Sequence, residues 1–260
     1  MMHAGLTMLT RRALVGASIA ALALLSGCGE TEIEKPAELV DIQATLKVDR
    51  LWSVSLGGGA EHLRLALRPI VVDDVLYTAS HKGDVVALSA TNGRRLWSTR
   101  TKLPLSAGPE VGEGVVVLGS SDGDVIALSA EDGKELWRQS IAAEILAQPL
   151  IVRDLVVVRT VNGRLEALSL TDGTSRWSIE ESVPRLTLRG TAPPVLAGDR
   201  IIAGFDNGRV LAVDARSGEV LWETIVNAPS GRTELERLAD IDAPARVSGN
   251  DVFVVGFQGR

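Results

Sequence analysis

The chain is predicted to be all-β, built from four-stranded antiparallel sheets, on three observations. A single unit recurs along it: residues 69 to 100, 109 to 140 and 149 to 180 align without gaps, and 194 to 225 follows with one residue added. Each unit carries two turn glycines at fixed places, Gly83, Gly123, Gly163 and Gly208 first, then Gly93, Gly133, Gly173 and Gly218. Four residues after the second glycine stands a tryptophan: Trp97, Trp137, Trp177 or Trp222. Self-similarity at a period of this size marks an array of one supersecondary unit.

Within a unit the elements follow in order. A short strand led by proline opens it. An apolar, β-branched run such as Val115 to Val117 then ends at the first glycine, where Asn-Gly and Asp-Gly pairs signal a tight hairpin. A second run, Asp124 to Ser129 in one unit, reaches the second glycine, and the strand bearing the tryptophan closes the sheet. Such a sheet cannot cover both of its faces alone. Stacked radially as blades, several of them leave only short, protected edges. The predicted fold is therefore a β-propeller with four complete blades, plus partial ones at either end.

The tryptophans at one register read as packing between blades, each burying ~150–250 Å². Trp52, in LWSVSL, is the last strand of a unit whose first three strands are absent. Residues 244 to 260 begin a fifth unit that stops at Gly259, the equivalent of Gly123. The expectation is a C-terminally truncated chain lacking several blades, with a genuine short form left open.

The N-terminus reads as a targeting segment. Arg11 and Arg12 make a positive region, residues 13 to 25 an apolar one too short to span a bilayer comfortably, and Leu25-Ser26-Gly27-Cys28 resembles a bacterial lipobox. Expected boundaries are a lipoprotein signal peptide at 1–27, a lipidated N-terminus and tether at 28–46, and the propeller at 47–260. Cys28 is the sole cysteine and the expected lipidation site. One acyl chain binds a membrane only marginally, whereas several hold it essentially permanently. Gly29 rather than Asp after the cysteine favours the outer membrane, as the lipoprotein resemblance implies.

Composition and motifs exclude several functions. A net charge of −6 lacks the electrostatic footprint of a nucleic-acid binder. Gly119-Ser120-Ser121-Asp122-Gly123 fits the GxSxG nucleophile pattern but falls on a hairpin, not on the strand-to-helix elbow that the chemistry needs. None of His3, His62 and His81 is visibly paired with a nucleophile. Asp240-Ile241-Asp242 alone is a weak metal signal without further oxygen ligands. No catalytic residue, cofactor or metal is therefore expected. The A-L-S-x-x-x-G-x-x-x-W unit resembles the tryptophan-docking repeat of pyrroloquinoline-quinone dehydrogenases, which keeps a quinone-dependent periplasmic oxidoreductase as one alternative and a propeller binding a cell-wall ligand as another. Those enzymes commonly carry a vicinal disulfide, which a single cysteine cannot make.

The spacing between units singles out two connections. From tryptophan to the next unit's proline there are 12 positions after Trp97 and after Trp137, but 17 after Trp177 and 22 after Trp222. Connections between blades emerge on one face, so these two extended loops should be neighbours. The first offers Leu186 and Leu188 beside Arg189; the second offers Glu234, Glu236, Asp240 and Asp242. Exposed leucines by an arginine within a carboxylate rim suit a protein-binding hot spot. By length and charge alone, a solvated loop pair reads equally well, and Trp52 to Pro69 is also a step of 17.

Leu186-Thr187-Leu188-Arg189-Gly190 and Thr233 to Asp242, together with the lipobox, the repeat and the order of long loops, resemble the BamB family of outer-membrane assembly lipoproteins. The resemblance implies an eight-bladed, non-catalytic scaffold on the periplasmic face of the outer membrane. It implies docking on the periplasmic domains of BamA through Leu186, Leu188, Arg189, Asp240 and Asp242. The resemblance leaves open two ways of assisting assembly, orienting the periplasmic domains of BamA or offering edge strands to unfolded outer-membrane β-barrel chains, which would then be a further expected partner.

Overall fold

A computed structural model describes residues 38–43, 45–57, 60 and 63–257. Cys28 with the signal segment, His3, His62 and Gly259 lie outside the described residues. The chain divides into two units, Met1–Asp49 and Arg50–Arg260. In the first, the described residues are exposed and carry neither strand nor helix.

The second unit is a succession of antiparallel sheets. After β1 (Ala66–Leu67), one blade comprises β2 (Ile70–Val72), β3 (Val75–Ala79), β4 (Asp84–Ser89) and β5 (Arg95–Arg100). The next comprises β6 (Leu105–Gly112), β7 (Val115–Ser120), β8 (Asp124–Ser129) and β9 (Glu135–Ser140), with β1 added in parallel to the inner edge of β6. A third comprises β10 (Leu150–Val152), β11 (Leu155–Arg159), β12 (Arg164–Ser169) and β13 (Ser175–Glu180). The fourth comprises β14 (Val195–Ala197), β15 (Arg200–Gly204), β16 (Arg209–Asp214) and β17 (Val220–Ile225). A two-stranded sheet of β18 (Arg246–Ser248) and β19 (Asp251–Phe253) follows.

Within the four complete units the strands form where the repeat places them, but the last strand expected around Trp52 does not: residues 50–57 carry no strand, since no described strand pairs with them. The first glycine of each unit closes the hairpin between the second and third strands at positive φ, from +78° at Gly208 to +92° at Gly83. That left-handed backbone suits a residue without a Cβ. Two details escaped the pattern. β6 starts four residues before Pro109 rather than at it, and β1, two residues long, is too short to leave a periodic signal.

Central strands are buried on both faces, so they read as continuous apolar runs instead of alternating ones. Every position of β7 is buried. Val116 and Leu118 pack with Val85, Ala87 and Trp97 of the preceding blade, whereas Val115 and Val117 pack with Val156, Val158 and Leu168 of the following one. Two further layers repeat this, one joining Val157 and Leu165 to Ile201 and Phe205, the other joining Ile202 and Val210 to Ile241 and Val252.

A bulge aims each tryptophan at its neighbour. Between the third and fourth strands the register slips beside the alanine opposite the indole, at Ala87/Leu88, Ala127/Leu128, Ala167/Leu168 and Ala212/Val213. The extra residue turns outward: Leu96, Leu136 and Leu221 are exposed. The indole then crosses to the next blade. Trp97 Nε1 donates to the carbonyl of Ala130 at 2.9 Å, Trp137 to Leu170 at 2.7 Å and Trp177 to Ala215 at 3.2 Å. Trp52 does the same to Ala90 at 2.9 Å. Each ring lies on the second turn glycine of the blade it reaches; a Cβ on Gly173 would stand 2.6 Å from Trp137 Cε3.

Trp137→Ala is expected to destabilise the protein by about 3–5 kcal/mol, because a large buried side chain leaves a cavity between two blades. Gly173→Ala should cost about 1–3 kcal/mol by driving a methyl group into the same ring. Denaturant unfolding measures both. A loss under about 1 kcal/mol for Trp137→Ala would mean the indole does not join the blades.

Candidate functional site

The two long connections span residues 181–194 and 226–245, and each is built by local chemistry. In the second, Thr233 and Glu236 form a capping box: the Glu236 carboxylate accepts from the Arg232 and Thr233 N–H groups at 2.7 and 3.1 Å, and Thr233 Oγ1 accepts from the Glu236 N–H at 3.2 Å. The turn so formed lifts Leu235, Glu234 and Glu236 into solvent. Leu238, Ala239, Asp240 and Ile241 then return into the protein and are buried. Ile241 packs over Gly204, where a Cβ would stand 2.5 Å from Ile241 Cγ2, and its N–H donates to Phe205 at 3.3 Å.

The loops are neighbours, as their common face requires. The Leu188 N–H donates to Asp240 Oδ1 at 2.7 Å, and Gly190 lies so close to Asp242 that a Cβ would stand 3.1 Å from its Oδ2. A cavity of about 430 Å³ runs between them, lined by Val183, Pro184 and Leu186 on one side and Pro229, Glu234 and Arg237 on the other. Leu186 is 42% exposed, Leu188 half-buried. Arg189 reaches across to Glu144, with Nη1 3.0 Å and Nη2 2.7 Å from the two carboxylate oxygens.

The acidic residues differ from the expected rim. Glu234 and Glu236 are exposed, but Asp240 is 1% exposed and Asp242 only partly so. Both belong to a polar cluster beneath the loops, centred on Arg159 and Asp206. The Arg159 guanidinium, itself 1% exposed, donates to Asp206 Oδ1 at 3.1 Å, to the carbonyls of Gly204 and Thr160, and stacks 4.4 Å over the Phe205 ring. Burial pushes Arg159 down and Asp206 up, each opposed by the other's charge. A guanidinium stays protonated in proteins, so Arg159 keeps its charge beside Asp206. Burial also raises Asp240 against its backbone donors. Asp242 is pushed up to about 6, first by burial, then by Asp240 and Asp206, with Arg64 and Arg159 opposing.

Arg159 and Asp206 were missed in the sequence, although the repeat register marks them. Arg159 stands where the flanking blades have Gly119 and Gly204. Ile145 over Gly119 and Ile241 over Gly204 are equivalent anchors, so Asp242 takes the place of buried Leu146 and Asp240 that of Glu144. Charged side chains at positions that neighbouring units fill with glycine or leucine are a readable departure. Ser120 and His81 make local contacts. Ser120 Oγ accepts from the Asp124 N–H at 2.9 Å within its hairpin, and the His81 ring contacts the Leu105 carbonyl at 2.8 Å.

Antiparallel blades joined by interlocked indoles, with binding potential in two loops on one face, define a tryptophan-docked β-propeller. A family model described as outer membrane protein assembly factor BamB matches residues 43–104 and 81–260. The chain belongs to the BamB family. It is 51% identical over 247 residues to the BamB of Pseudomonas aeruginosa, covering 94% of this chain and 65% of that one. With the BamB of Alkalilimnicola ehrlichii it shares 54% identity over 250 residues, 96% of this chain and 64% of the relative. The chain thus spans under two thirds of the length of these curated relatives. The crystal structure of BamB from Moraxella catarrhalis superposes with a TM-score of 0.70 at 27% identity, over 75% of this chain and 59% of that one. The curated relatives are named as assembly factors, a non-enzymatic role.

Arg159→Ala should destabilise the protein by about 3–5 kcal/mol, because Asp206 would keep a buried charge without its partner. Urea unfolding with circular dichroism checks it. A cost under about 1 kcal/mol would place the pair in contact with water.

Proposed function

We infer that this chain acts in outer-membrane protein assembly as a non-catalytic scaffold that docks on the periplasmic domains of BamA through loops 181–194 and 226–245. The observation that carries this reading is the joining of the two loops into one surface by the Leu188–Asp240 hydrogen bond. Leu186 and Leu188 supply the apolar centre and Arg189 a charge at its margin. Asp240 and Asp242 contribute from beneath: Asp240 holds the 181–194 loop in place, since its burial leaves it no surface to offer a partner. In this reading a lipid on Cys28 anchors the protein to the periplasmic face of the outer membrane.

Titration of the periplasmic region of BamA tests the docking reading. Leu186→Asp and Arg189→Ala should each weaken binding by about thirtyfold, on the order of 2 kcal/mol, as hot-spot residues do. Lys134→Ala, in an exposed hairpin paired with Asp132, is the matched control and should bind as the wild type does. Equal affinities for all three variants would leave the loops as solvated connections.

Cys28→Ser should abolish palmitate labelling, because lipidation needs the thiol, and leave recovery with the outer membrane dependent on docking alone, since the following residues 29 to 46 are too polar to anchor the chain. Unchanged labelling would move the lipid to another residue or remove it from the account.

A further inference from the structure

Asp206, on the hairpin turn after β15, meets Asp240 and Asp242 so closely that one oxygen of each lies within 4.8 Å of the others. Each of two carboxylates is held by a protein donor through one oxygen, Asp206 Oδ1 by Arg159 and Asp240 Oδ1 by the Leu188 N–H. Asp240 Oδ2 and both oxygens of Asp242 are buried and accept no hydrogen bond from the protein. A second observation lies outside the cluster. The Thr191 hydroxyl, in a residue only 7% exposed, is also without a partner, and Thr191 and Asp242 line one cavity of about 250 Å³.

We propose that Asp206, Asp240 and Asp242 form a divalent-cation site, suited to calcium by its carboxylate ligands, that ties the 226–245 loop to the hairpin turn of the fourth blade. Charge supports it: three carboxylates outnumber the two arginines beside them, Arg159 and Arg64, so the cluster holds an acidic excess that a divalent ion would offset. Arg64 lines the cavity beside Asp242 without bonding to it. Three protein carboxylates in a buried site suit Ca²⁺, which takes many oxygen ligands in flexible geometry, better than Mg²⁺, which gives up its waters reluctantly and is usually held by one or two carboxylates. Ligating carboxylates are commonly fixed by an outer donor at their second oxygen, the part played here by Arg159 and Leu188. The cavity lined by Asp242 and Thr191 reaches the edge of the cluster, where the Thr191 hydroxyl is a partner for a water on the ion. Without an ion, buried carboxylate oxygens with no donor are costly. The neighbouring blade avoids that cost by placing Leu146 where Asp242 stands.

The site is tested on the full chain without any partner, so its outcome is separate from that of docking. Chelator-treated protein titrated calorimetrically with calcium chloride should take up about one ion per chain, and its Tm should rise by several degrees at millimolar calcium. Magnesium should shift Tm less. Asp240→Asn and Asp242→Asn, which keep the side-chain shape, should each lose most of the calcium-dependent rise, and chelated Asp242→Asn should melt above chelated wild type. Absence of both calcium uptake and a Tm shift in the wild type overturns the proposal, and so does a shift that survives in full in both variants. If either variant folds poorly, the wild-type calcium and magnesium titrations decide alone.

Discussion

Each blade is held to the next by an indole that lies across a glycine turn one blade further on and donates its Nε1–H to a carbonyl there. Four such contacts, from Trp52, Trp97, Trp137 and Trp177, recur with donor distances of 2.7 to 3.2 Å. The contact imposes requirements on three separate places in the repeat. The second turn must be glycine because the ring occupies the Cβ position. The residue opposite the tryptophan is alanine, and a bulge must rotate the last strand so that the indole faces inward while its neighbour faces water. One interaction therefore accounts for most of what is invariant from unit to unit.

Because the blades are locked edge to face in this way, the connections between them are free to vary in length without disturbing the sheets. The two that do so are nevertheless not loose. The 226–245 loop reaches outward through a capped turn and then drives Leu238 to Ile241 back against the fourth blade, as Ile145 does between the second and third. What reaches solvent includes the turn, Val183, Arg185, Leu186 and Arg189. The surface proposed for docking is thus presented by a rigid footing, which lowers the ordering cost that a partner would meet on binding.

Under that surface the apolar layering of the propeller is replaced by charge. Arg159 stands where the adjacent blades have a glycine covered by an isoleucine, and its guanidinium bridges the third and fourth blades through Gly204, Phe205 and Asp206. A buried ion pair is a poor way to gain stability compared with hydrophobic packing, and its more usual contribution is to specify one arrangement. Here it lies below the two long loops, next to the carboxylate that orients Leu188. Departures from the repeat and the candidate site fall in the same place.

The blades, their order, the glycine turns and the register of the tryptophans are legible in the chain before it folds, because each depends on local pattern: two-sided apolar runs, turn residues and a fixed spacing. Equally legible is that two connections are long and leave the same face. Only the tertiary structure decided that Asp240 is buried while Glu234 and Glu236, a few residues earlier, are exposed. Only it decided that Arg189 pairs with Glu144, 45 residues away, and that Asp206 joins the two aspartates from a different hairpin. Those outcomes depend on which side chains the blade-to-blade contact brings within a few ångströms. That proximity arises from the stacking of whole sheets, and no periodicity within one segment encodes it.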